Sequence, residues 1–174
     1  MQREPLTPTA REISMAAAAA QLTARELANP RSLIPDQLFG FLADRIAREE
    51  HISQDQAQEV IEQALAFLVA CGLNPDVRLF PSPAVEIAWE KFLTYTRAYG
   101  EFCQQVAGRF IHHWPIDVPK HAPPDSKAAL QTSVEAMRAA GLPVVDELWT
   151  SLWTSKIEGG QWQRGRTELQ ESRS

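Results

Sequence analysis

Between Ser53 and Gly72 the chain reads Ser-Gln-Asp-Gln-Ala-Gln-Glu-Val-Ile-Glu-Gln-Ala-Leu-Ala-Phe-Leu-Val-Ala-Cys-Gly, and no other stretch restricts the fold as tightly. Ser53 followed by Gln56 is a capping box: the serine hydroxyl takes an exposed amide, and the glutamine reaches back to the serine's own N–H. Gly72 stands where a helix stops. From Ala64 to Cys71 every residue is apolar, so this helix has no side to give to water. It is stable only with other elements packed around it. The segment therefore predicts a bundle with Ser53–Cys71 at its centre.

The rest of the chain supplies the surrounding helices. Alanine and leucine far outnumber valine and isoleucine, and glycine is scarce at 8, a balance that favours helix over strand. No alternating segment with hairpin chemistry is present. A weak, alanine-rich helix is predicted over roughly Ala16 to Ala28, anchored only by Leu22 and Leu27 and ending before Asn29-Pro30. A second runs from Pro35 to Glu50, with Leu38, Phe39, Phe41, Leu42 and Ile46 as its apolar stripe. After the central helix comes a loop, Gly72 to Pro81, turning at Asn74-Pro75-Asp76.

A fourth helix starts at Ser82-Pro83 and runs without a break to Ala107, stopping at Gly108. Its core face carries Val85, Ala88, Trp89, Phe92, Thr96, Tyr99, Cys103 and Val106. A fifth runs from Asp125 to Gly141 on Leu130, Val134 and Met137. A short sixth covers Val144 to Ile157, with Trp149 and Trp153 on one face, expected to dock on the chain's own core. The expected fold is all-α: a single compact bundle of five or six helices. Residues 1–30 form an N-terminal extension and weak helix, 31–157 the all-α domain, and 158–174 a disordered, frayed C-terminal tail.

With 174 residues, one domain buries enough apolar surface to fold without disulfides or a structural metal. The net charge of -5 and pI of about 5.4 argue against nucleic acid and against an anionic membrane surface as partners. No apolar run is long enough to span a bilayer, and Met15 to Ala20 is too short for the core of a secretion signal. Cys71 and Cys103 lack a C-x-x-C spacing and fit a reducing compartment. A cytoplasmic location is expected. The excess of arginine over lysine hints at a GC-rich bacterial gene.

The segment from Glu86 to His113 carries the unusual chemistry. Glu86 and Glu90 are one turn apart on a helix, so their carboxylates are neighbours and repel. Two readings stand. In one, both are solvated, with Arg97 further along the helix to relieve them. In the other, the His112-His113 pair past the helix end joins them as a divalent metal set. Cys103 falls in the core stripe, roughly 100° or more from both carboxylates, and is read as a buried structural thiol. His112 or His113 is expected to hold the open carbonyls at the end of the fourth helix. No phosphate-cradling glycine loop, nucleophile elbow, zinc-protease motif or EF-hand loop is present.

The run from Phe80 to Cys103, containing Glu86, Trp89, Tyr99 and Cys103, followed by Arg109-Phe-Ile-His-His-Trp-Pro115, resembles the glycine-rich domain-containing protein-like family of small bacterial proteins. The family's hallmark is an acidic residue, then Trp-His, then a Tyr and a Cys along the helix, then Phe-x-His-His-x-Pro. Glu86, Trp89, Tyr99, Cys103 and His112-His113 stand at those positions, and the likeness covers roughly Leu33 to Val145. Two departures stand out. Glu90 replaces the histidine after the tryptophan, and no cysteine follows Cys103. If the pattern marks a metal site, this chain has lost a ligand or exchanged an imidazole for a carboxylate. The resemblance implies a fold and no reaction.

The candidate ligand-binding residues are thus Glu86, Trp89, Glu90, Arg97, His112 and His113, with no cofactor and no bound metal expected. The leading expectation is a non-catalytic cytosolic accessory or binding protein with a small-molecule or protein partner. The alternative is a small metal-dependent or acid/base enzyme, of the kind that tailors biosynthetic products, using Glu86, Glu90, His112 and His113.

Overall fold

The structure is a computed structural model that describes residues 22–114, 123 and 126–149. Among them are six α-helices and no strand: α1 (Ala24–Ala28), α2 (Asp36–Glu50), α3 (Gln54–Leu73), α4 (Pro83–Leu93), α5 (Thr96–Ala107) and α6 (Ser126–Ala139). Two 3-10 turns, Pro30–Leu33 and Asp146–Trp149, complete the order. The all-α expectation holds. Residues 1–21 and the tail from 150, including Trp153 and the expected disordered stretch 158–174, lie outside the described residues.

The capping box at Ser53 and Gln56 is present, and α3 is the hub, packing against α2, α4, α5, α6 and the first 3-10 turn. From Gln63 to Ala70 every residue of α3 is buried. The helix does not stop before Gly72 as expected; it runs through to Leu73. Gly72 is there for close approach instead. A Cβ at this position would meet the Val106 carbonyl oxygen of α5 at 2.5 Å. The helix ends at Asn74, whose backbone and side-chain amides both donate to the Ala70 carbonyl.

The predicted fourth helix is broken. Thr94 donates its hydroxyl to the Lys91 carbonyl at 2.7 Å and accepts from Arg45 Nη1 at 2.8 Å. Tyr95, with ψ near 58, interrupts the helical ladder and starts α5. A threonine that bonds back to its own turn competes with the helix, and here a long-range donor fixes that competitor in place. Lys91 and Arg45 both grip Glu49, holding its carboxyl down at about 2. The expected core face survives the break except at Thr96, which is exposed, while Phe92 and Tyr99 meet edge-on at 5.2 Å. Phe41 likewise leaves its expected stripe and is 52% exposed.

α1 begins only after Thr23, which forms a capping box with Glu26, so Leu22 lies outside it; the rest of the expected stretch before Leu22 lies outside the described residues. α6 ends in a left-handed Gly141, with the Leu142 amide returning to the Met137 carbonyl. Beyond it the expected sixth helix does not begin at Val144; the chain has no regular secondary structure there and tightens only into the 3-10 turn. Buried Gln63 decides this. Its Oε1 accepts from the Val145 amide and from Trp149 Nε1, and its Nε2 donates to the Pro143 carbonyl. Those backbone groups are held by a side chain rather than by a helical turn. Trp149 docks on the core against Phe67, as expected.

Candidate functional site

Glu86 lies in the first turn of α4, where Ser82 caps the helix and the unpaired amides favour a negative charge. Glu90 follows one turn later and is exposed. After Gly108, in the left-handed conformation at φ 62, the chain leaves α5 and runs without regular secondary structure through Ile111 to Trp114. This run does not close the end of the preceding helix. It returns to the start of α4, where His113 Nε2 lies 2.7 Å from Glu86 Oε1. The expectation that a histidine holds the end of the fourth helix is therefore corrected: His113 is engaged by Glu86 in the first turn of α4.

The return path is set at Ile111, whose carbonyl accepts from the Tyr99 hydroxyl at 2.6 Å. Tyr99 in turn accepts from Trp89 Nε1 at 2.9 Å. Burial pushes the Tyr99 phenol and the Cys103 thiol above their ordinary ranges, so both stay protonated. Trp89 and Tyr99 thus form a clamp that presents the histidine, and the Trp89 ring meets the His113 ring edge-on at 4.6 Å. Cys103 is the buried structural thiol that the helical angle implied.

Glu86, Glu90 and His113 each offer a ligand atom, and these atoms all lie within 4.8 Å of one another. The Glu86 and His113 side chains are only 14% and 11% exposed. Glu86 Oε2 is closed off from solvent and has no hydrogen-bond partner. A buried carboxylate oxygen without a donor is costly, and a cation is one of the few groups that offsets it. Two carboxylates and an imidazole form a donor set suited to zinc, manganese or iron. Two ligands on one tetrahedral zinc stand about 3.4 Å apart, so a small swing of the exposed Glu90 closes the set.

The other two expected residues go elsewhere. Arg97 sits beyond the helix break with its side chain 94% exposed and pairs with Glu101, so it does not relieve Glu86 or Glu90. His112 is not part of this cluster; it is exposed, and its ring lies 5.1 Å from that of Phe110, tilted by 56°.

A family model described as UCP032817-like matches residues 33–140. The chain belongs to the UCP032817-like family. No curated protein and no solved structure matches it. The match spans α2 to α6, so in this UCP032817-like chain the carboxylate–histidine cluster and its clamp both lie inside the family region.

Sequence reasoning missed a second feature. A cleft of about 190 Å³ opens between the 72–81 loop and the 109–114 segment, lined by Asn74, Arg78, Phe80, Arg109, His112 and Trp114 among others. Arg78 and Arg109 are far apart in the chain and belong to no motif. Only the folding-back of Ile111 brings them together. The loop wall is anchored by Ser133 of α6, whose hydroxyl lies 2.8 Å from both the Phe80 amide nitrogen and the Phe80 carbonyl oxygen.

Proposed function

We propose that this protein binds one divalent cation through Glu86, Glu90 and His113, and that the site serves a small metal-dependent acid/base enzyme. The observation that carries this reading is the convergence of the three ligand atoms around the unpartnered, buried Glu86 Oε2. In the resemblance to the glycine-rich domain-containing protein-like pattern, these are the acidic position, the position after the tryptophan, and one of the paired histidines. Exchange of imidazole for carboxylate at Glu90 keeps a donor there. Three protein ligands leave coordination positions open, the arrangement of catalytic rather than structural metal sites.

The test is calorimetric titration of the chelator-treated full chain with zinc and with manganese. One saturable site is expected. Glu86→Gln and His113→Ala abolish it, Glu90→Gln weakens it, and His112→Ala leaves it intact. Absence of saturable binding, or equal binding by His113→Ala, refutes the proposal.

One observation favours a second reading, a non-catalytic cytosolic accessory protein with a small-molecule or protein partner. His113 and Glu86 already make a 2.7 Å hydrogen bond, which by itself latches the returning segment to α4. Under that reading, His113→Ala lowers stability but no metal binds. Among the described residues no helix is long and apolar enough to cross a membrane.

A further inference from the structure

The cleft beside the metal centre has the chemistry of an anion site. Among the described residues its lining includes Arg78, Arg109, His112 and Asn74 and no aspartate or glutamate. Arg109 is partly buried and has no carboxylate within ion-pair distance among the described residues. Its one hydrogen bond there is a long one, 3.4 Å from Nη2 to the Cys71 carbonyl. Charges withdrawn from water are normally paired, and the planar guanidinium fork matches a carboxylate or phosphate. Arg78 stands on the facing loop with its guanidinium 4.8 Å from the Phe80 ring and 5.8 Å from the Trp114 ring. Aromatic faces steady such a cation and add a flat apolar wall. Ser133 holds that wall through both polar groups of the Phe80 backbone, so the site is preorganised.

We infer that the cleft binds a small organic oxyanion, a carboxylate or phosphate ester with a flat apolar body, with Arg109 and Arg78 holding its head and Phe80 and Trp114 its body. The volume of about 190 Å³ lies below that of drug-sized pockets and suits a small ligand. The cleft shares no residue with Glu86, Glu90 and His113, so the inference does not rest on the metal centre.

The test uses the full chain, freed of metal by chelation and gel filtration, titrated at constant ionic strength with benzoate, phenyl phosphate and inorganic phosphate. Saturable one-to-one binding of benzoate or phenyl phosphate is expected, and the tighter of the two identifies the head group. Arg109→Gln and Arg78→Gln each weaken it about tenfold or more. Arg97→Gln, on the exposed Arg97–Glu101 pair, leaves it unchanged. Arg78 is exposed, so its variant keeps the test decisive if Arg109→Gln fails to fold. Failure of both organic probes to saturate, or undiminished binding by both arginine variants, overturns the inference. Inorganic phosphate binding as tightly as phenyl phosphate overturns the aromatic part of it.

Discussion

Tyr99→Phe isolates one oxygen atom on which the site depends. The phenol is fully buried, donates to the Ile111 carbonyl at 2.6 Å and accepts from Trp89 Nε1 at 2.9 Å. Phenylalanine keeps the ring and its edge contacts with Phe92 and Phe110, so packing is nearly conserved. What is lost is the pairing of two buried polar groups at once. Each unsatisfied group costs about 1–3 kcal/mol, so the expected destabilisation is about 2–5 kcal/mol, read from urea unfolding. The same change frees the Ile111 carbonyl two residues before His113. Zinc affinity, measured where the variant is fully folded, is expected to fall about tenfold or more through looser placement of the ligand. A loss below about 0.5 kcal/mol together with unchanged zinc affinity refutes the clamp, because that is what a surface substitution does.

Three further outcomes test other parts of the fold. Gly72→Ala drives a methyl toward the Val106 carbonyl and is expected to cost about 1–3 kcal/mol in urea unfolding, whereas alanine at an ordinary helical glycine stabilises. Gln63→Leu leaves the Val145 amide and the Trp149 indole N–H without their acceptor, so a loss of about 2–5 kcal/mol and a changed near-UV signal of Trp149 are expected. Burial pushes the Cys71 thiol up to about 12. The unfolded thiol ionises near its ordinary value of about 8.5, so above that pH the unfolded state binds fewer protons than the folded one. Stability is therefore expected to fall as pH rises from about 9 towards about 12, and part of that fall to vanish in Cys71→Ala when urea midpoints at about pH 8 and about pH 10.5 are compared.

Local chemistry was enough to read the helices wherever one segment determines its own state. The Ser53–Gln56 box, the cap and proline at Ser82-Pro83, and the left-handed Gly108 act within a turn of themselves, and each is found where the sequence places it. The all-apolar second half of α3 required a surrounding bundle, and that bundle formed. Angles along a helix put Cys103 in the core and Glu86 beside Glu90 for the same reason: neighbours on one helix are set by its pitch. What the sequence could not decide depends on partners remote in the chain. The break at Thr94 needs Arg45, the role of Gly72 needs Val106, and the non-helical path through Val144 needs Gln63. Above all, an adjacent His pair must diverge, and nothing local says which imidazole turns inward. That choice belongs to Tyr99, which grips the Ile111 carbonyl and so sends His113 to Glu86 and His112 to the cleft.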